Sequence, residues 1–175
     1  DLPAGDLPLA YHFEAAARRV EPRWPPGWQL RGDADLSLVS TGEGRQLRGE
    51  VRFDRIWYLQ DIELTPAQLV QRLLARSRVE VGETDELLAT TALGVSIRGP
   101  SAVRVRNNVA QLTGSADLAL RGTLARPVLF GEVEFEPGGR AMYGGNTYTV
   151  DRAALTFANP TRIEPLLDVV ARTRV

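Results

Sequence analysis

Hydrophobic and polar residues alternate along much of this 175-residue chain. Ala34, Leu36 and Leu38 fall on one side of a period-two pattern with Asp35 and Ser37 between them, and Val51 and Phe53 alternate with Glu50 and Arg52. That period predicts strands buried on one face only. The pattern recurs: residues 32–53, GDADLSLVSTGEGRQLRGEVRF, return 82 positions later as residues 114–135, GSADLALRGTLARPVLFGEVEF, with eleven of twenty-two positions identical. Unrelated segments of average composition would share roughly one or two. Hydrophobic phase is kept while the intervening loop (STGEGRQ against GTLARPV) is not. The repeating unit is therefore a piece of sheet rather than an active-site loop, and self-similarity at a fixed period marks a stacked architecture.

The rest of the chain extends the pattern. Leu9, Tyr11 and Phe13 alternate, although Phe13, Ala16, Ala17 and Val20 also fit a helix, and WPPGW at 24–28 reads as a rigid turn. Residues 55–64 offer Ile56, Tyr58, Ile62 and Leu64 to strand faces. One short helix is predicted near residues 66–77, with Thr65 as N-cap, Pro66 at the first helical position, Gln68 completing a capping box and Leu69, Val70, Leu73 and Leu74 as the apolar stripe. Strand signals resume over 87–99 and 101–108, where Val103 and Val105 alternate with Arg104 and Arg106. Beyond the second copy, Pro-Gly-Gly, Gly-Gly-Asn and Val-Asp-Arg punctuate a meander, and residues 166–175 alternate again. The expectation is a single all-β domain over 1–175, about a dozen short strands covering roughly 55–60 Å. Its apolar positions, Leu36, Leu38, Val51, Phe53, Leu118, Leu120, Val133, Phe135, Met142, Tyr148, Val150, Leu155 and Phe157, need cover. A second sheet, closure into a barrel, or a folded-over sheet with an apolar interior would each supply it, and a conventional closed core is the default.

Composition narrows the chemistry. A formal net charge of -1 and a pI near 5.9 give no bulk attraction to nucleic acid, and no segment interleaves clustered cations with aromatics. All 21 basic residues are Arg, which fits genomic codon bias, with a guanidinium surface for phosphate headgroups as the functional alternative. There is no Cys, hence no disulfide, thiolate metal site or Cys nucleophile. The longest apolar runs fall short of the roughly 18 residues of a membrane span, and the strand-like end IEPLLDVVARTRV reads as part of a longer chain. His12 is the only histidine and reads as a solvent-facing structural residue. The acidic pairs Asp33/Asp35, Asp85/Glu86 and Glu132/Glu134 are weighed as general acid/base or calcium ligands, but most simply form the solvated side of strands. Gly138-Gly139 and Gly144-Gly145 open no helix and precede no Lys-Ser or Lys-Thr, so they are turns rather than phosphate loops. No catalytic, cofactor-binding or metal-binding residue is expected.

Residues 101–175 carry VRVRNN at 103–108, ADLALRGTLARPVLFGEVEFEPGGRAMYGGNTYTVDRAALTFANP at 116–160 and IEPLLDVVARTRV at 163–175. This order of elements resembles the C-terminal domain of the TamB family, bacterial envelope proteins related to the AsmA-like lipid transporters. The resemblance implies a long curved sheet folded into a taco-like open groove, a periplasmic location, and an inner-membrane anchor outside this stretch. It also implies a non-enzymatic role in outer-membrane biogenesis beside an outer-membrane barrel of the Omp85 type, TamA. The implied cargo is phospholipid acyl chains or unfolded outer-membrane strands, with the thirteen apolar positions above as the groove lining. The alternative is a strand-pairing module whose exposed edge augments a barrel or its client.

Overall fold

The computed structural model describes residues 10–22, 27–41, 44–61 and 86–173. The strands are β1 (Tyr11–Val20), β2 (Trp28–Thr41), β3 (Gly44–Tyr58), β4 (Thr91–Arg106), β5 (Ala110–Gly122), β6 (Pro127–Phe135), β7 (Arg140–Tyr143), β8 (Asn146–Phe157) and β9 (Pro165–Arg172). A short helix, α1 (Glu86–Thr90), precedes β4. The helix expected near 66–77 lies outside the described residues, as do Ile62 and Leu64. All nine strands join one sheet in the order β1-β2-β3-β4-β5-β6-β8, with β7 and β9 both on β8.

The sequence repeat is a hairpin repeated with its register intact. Gly32, Ala34, Leu36 and Leu38 oppose Phe53, Val51, Gly49 and Leu47 in β2–β3. Eighty-two residues on, Gly114, Ala116, Leu118 and Leu120 oppose Phe135, Val133, Gly131 and Leu129 in β5–β6. The unit is larger than the sequence shows. Phe13, Ala15 and Ala17 of β1 oppose Leu38, Leu36 and Ala34, and their counterparts Val95, Ile97 and Gly99 of β4 oppose Leu120, Leu118 and Ala116. Residues 11–20 and 93–102 share no identical position. Two three-stranded meanders repeated in the same sense must meet at strands running the same way, because three is odd. Hence β3 and β4 pair in parallel, while every other pairing among the described strands is antiparallel.

A row of bulges crosses the sheet at one level. In β1, Arg18 and Arg19 stand against Asp33 alone; in β3, Asp54 is the extra residue beside Gly32 and Phe53. In β4, Pro100, Ser101 and Ala102 oppose only Ser115. β6 and β7 behave as one strand interrupted at 136–139, both pairing with β5, and β8 carries Asp151. Extra residues on one strand bend it and increase its twist. The bulges in β1 and β4 are the same repeat position, since Arg19 and Ser101 have φ of 53° and 50°. Their amides are satisfied alike, Arg19 N–H donating to Asp33 Oδ1 at 2.8 Å and Ser101 N–H to Ser115 Oγ at 2.8 Å.

These bulges explain a difference from the expected strand count. Gly99-Pro100 punctuates β4 without ending it, and residues 55–58 complete β3 rather than start a new strand. Among the described residues strands run longer and are fewer. With β7 continuing β6, eight lie abreast, and their seven gaps span roughly 34 Å rather than 55–60 Å.

No second layer exists among the described residues. Beyond a residue pair or two, the contacts between strands are all between sheet neighbours, and the edges β1 and β9 do not pair, so the described strands form neither a sandwich nor a closed barrel. Yet Val103, Ala116, Val133, Phe135, Val150 and Ala153, on four strands, form a buried cluster, with Ile56, Leu112, Leu118, Leu155 and Phe157 packed against it. Side chains on one face bury one another only when the sheet curls toward that face. Gly49 and Gly131, at φ of 147° and 112°, sit at equivalent places where a Cβ would collide with the carbonyl oxygen of Asp35 or Asp117. We expect Gly49→Ala and Gly131→Ala each to cost about 1–3 kcal/mol in urea unfolding. Gly94→Ala, with its nearest atom at 3.5 Å, should stay within about 0.5 kcal/mol of the parent.

Candidate apolar groove

Directly opposed residues share a face of a sheet, so the register assigns every side chain. Row by row, the concave face carries Phe13–Leu38–Leu47–Leu93, then Leu36–Gly49–Val95–Leu120, then Val51–Ile97–Leu118 and Ala116–Val133–Leu155. Phe53 and Phe135 complete it, lying opposite Gly32 and Gly114. On β8, Tyr148, Val150, Leu155 and Phe157 keep this phase because the bulge at Asp151 restores it, with Val150 only 1% exposed. Twelve of the thirteen apolar positions singled out from the sequence thus share one face. Met142 does not: it opposes Thr147, while its neighbour Ala141 opposes Tyr148, so Met142 is on the convex side. The interruption at 136–139 adds two residues relative to β5 and so keeps the odd-numbered phase, with Phe135 and Ala141 on the same face.

Other lining positions lie outside the repeated segments. Ile56 reaches the same face only through the bulge of β3, whereas Val103, Val105 and Leu112 keep the phase of Ile97 and Gly114. Phe13, Leu93, Val95 and Ile97 follow from β1 and β4 being equivalent.

The convex face is ionic. Asp35 opposes Glu50, and Asp117 opposes Glu132; like charges so placed repel. Arginines offset the first pair: Arg18 reaches Asp35 at 2.6 Å, Arg52 reaches Glu50 Oε2 at 2.9 Å, and Arg98 lies 3.5 Å from Glu50 Oε1. That last separation is an ion-pair contact without a hydrogen bond, and Oε1 is buried with none. The hydrogen bond from Arg52 holds the Glu50 carboxyl below its ordinary value, against desolvation and the charge of Asp35. Arg31 grips Asp54 through Nε at 2.9 and 3.0 Å and lowers it likewise. Nearer one end, Trp57 lies between the guanidiniums of Arg55 and Arg104, at 4.6 and 4.7 Å from its ring centroid.

His12 is exposed on this face, its Nε2 2.8 Å from Ser37 Oγ. A shallow depression of about 430 Å³ beside the β4 bulge is lined by Arg98, Pro100, Ser115, Asp117, Glu132 and Glu134. Of the carboxylates weighed as catalytic, Asp33 and Asp35 of β2 and Glu132 and Glu134 of β6 therefore lie on the wet side, with three strands between them, and Glu86 is in α1. Asp85 lies outside the described residues. Among the described residues no group of His, Cys, Asp and Glu is arranged to hold a metal, and no helix is long and apolar enough to cross a membrane.

An open sheet, apolar on its concave face and ionic on its convex face, agrees with the comparison by family. The model of the TamB C-terminal domain matches residues 10–175. The chain belongs to the TamB family. No curated protein matches it by sequence. The TamB C-terminal domain is a periplasmic component of the bacterial envelope, within a non-enzymatic family tied to the translocation and assembly module and associated with the outer-membrane partner TamA. The match begins at the start of β1, so it takes in the whole three-stranded repeat that the sequence showed only in part.

Glu50 supplies the test of the convex face. Its folded pKa lies below the unfolded one, so its ion pairs stabilise the fold above the ordinary carboxylate range and are lost as pH falls through the lowered value. The melting temperature of the parent should drop from about pH 5 downwards, and Glu50→Gln should be less stable near neutrality but lose less on acidification. Parallel melting curves for the two proteins would discount the Glu50 cluster.

Proposed function

We propose that the concave face carries phospholipid acyl chains between the inner and outer membranes, and by supplying the outer membrane supports protein assembly and secretion there. One observation carries this reading: the apolar phase persists across eight strands on a face that no second layer of described residues covers. An exposed apolar surface of this extent marks an interaction site. Each methylene removed from water contributes about 0.8 kcal/mol, so a chain binds passively. The contacts repeat from strand to strand rather than converging on one deep pocket, which suits sliding. Membership in a periplasmic family supports the placement; an inner-membrane anchor elsewhere in the protein belongs to the same proposal.

The lining follows the register: Leu36, Leu38, Val51, Phe53, Leu118, Leu120, Val133, Phe135, Tyr148, Val150, Leu155 and Phe157. A photo-crosslinking phospholipid probe should label the parent, and Leu120→Asp or Leu36→Asp, at half-buried positions outside the Phe135–Val150 cluster, should abolish labelling while circular dichroism stays unchanged. Arg121→Asp and Glu134→Arg, on the convex face, should leave labelling within about twofold of the parent. Equal losses on both faces would sink the groove.

A second reading, strand addition to a barrel of the TamA type or to an unfolded outer-membrane client, is favoured by β9. This edge strand exposes Leu166 and Leu167 at 72% and 62%, and Val169 and Val170 on alternate faces. Unpaired, long and apolar edges are templates for pairing. Cysteine pairs placed along β9 and a candidate partner strand should cross-link in one register with lipid absent; scattered or no cross-links would dismiss this reading.

A further inference from the structure

The apolar rows end at one lip of the groove in a polar row. Tyr11, Ser40, Arg45 and Thr91 lie side by side, one step beyond Phe13–Leu38–Leu47–Leu93 and on the same face. Ser40 and Thr91 are buried, and Thr91 Oγ1 is occupied in donating to the Leu87 carbonyl at 2.6 Å. Arg45 is half-buried among them. Among the described residues its one hydrogen bond runs from a terminal nitrogen to Thr90 Oγ1 at 3.2 Å, a hydroxyl that itself donates to the Glu86 carbonyl at 2.7 Å. Its Nε is buried with no acceptor.

Arg18, Arg31, Arg52, Arg98, Arg152, Arg162 and Arg172 each stand beside a carboxylate; Arg45 has no carboxylate partner among the described residues, and unlike Arg48, Arg55 or Arg104, which also lack one, it lies on the concave face with its Nε buried. A guanidinium holds five N–H donors in a planar fork, and here the Nε–H is buried without an acceptor at the border of an apolar wall. Burying such donors without partners is unfavourable. The acceptor that fits is an anion with several oxygens presented together. Leu47 lies two residues along the same strand and on the same face, about 7 Å away. A molecule meeting both has an anionic head and an apolar tail.

We infer that Arg45 is a headgroup-binding residue: its fork takes the phosphate of an anionic lipid at the lip while the acyl chains lie on the Leu38–Leu47–Leu93 row. This assignment rests on the groove reading above and adds to it a preference for anionic phospholipid and a lip at which the head sits.

The test compares two probes carrying the same pyrene-labelled acyl chains, phosphatidylglycerol and diacylglycerol, transferred from neutral vesicles to the 175-residue chain. The parent should bind the phosphatidylglycerol probe roughly tenfold tighter. Arg45→Gln should erase that ratio with diacylglycerol binding unchanged, and Arg45→Lys should keep part of it, because a point charge lacks the fork. Arg48→Gln, on the convex face one residue position away from the row, should keep all of it. Matching thermal melts would establish that the variants fold. Equal ratios in the parent and Arg45→Gln would overturn the assignment while leaving the groove standing. Loss of the parent's preference on adding millimolar inorganic phosphate would overturn it too, as a site for free phosphate. Binding of neither probe would remove the groove reading and the assignment together.

Discussion

The structure depends on one constraint: side chains on a strand alternate, so each residue added to a strand exchanges its faces unless the extra residue is absorbed as a bulge. This sheet absorbs its extra residues along a single transverse line, at Arg18–Arg19, Asp54, Pro100–Ala102, residues 136–139 and Asp151. Apolar residues therefore emerge on the same face on both sides of the line. Val51 and Phe53 give way to Ile56 and Tyr58, and Ala153 gives way to Val150. Where one residue is extra, in β1, β3 and β8, the bulge keeps the apolar side chains beyond the line on the concave face; in β4 and between β6 and β7 two residues are added and the alternation continues unbroken.

The same line provides curvature. Bulged strands bend, while the two unbulged neighbours, β2 and β5, carry Gly32 and Gly114 there, where a Cβ would collide with the backbone of the opposing strand. Asp33 and Ser115 cap the amides that the bulges free. A curled sheet buries Val150, Ala153 and Phe135 against one another and leaves the remainder of that face half-covered. The fold thus places apolar surface where a compact protein would put a second layer. Under the proposed function, shielding apolar cargo would use that surface directly, while Asp35, Glu50, Asp117 and Glu132 occupy the opposite, convex side.

Much of this was legible from residue order. Alternation within Ala34–Leu38 and Val51–Phe53, and its return at Ala116–Leu120 and Val133–Phe135, sufficed for strands, for the apolar face and for the wet positions Asp35, Glu50, Asp117 and Glu132. Gly-Gly and Asn turns were legible too, since their chemistry is local. What was missed is non-local. The kinship of β1 and β4 leaves no identical residue because their shared features are backbone features: a register and a left-handed bulge residue that Arg19 and Ser101 both adopt. Gly99-Pro100 looks like a strand end, and only its neighbours on both sides hold it inside a strand.

By itself, then, the sequence determined the local period, the turns and the repeated hairpin, because each depends on residues a few positions apart. Tertiary structure decided the parallel seam between β3 and β4, the alignment of the bulges and the isolation of Arg45 among Tyr11, Ser40 and Thr91. The physical reason is common to all three. Each is a property of pairing between strands distant in sequence, where backbone hydrogen bonds choose the partner and the register, and no local pattern records that choice.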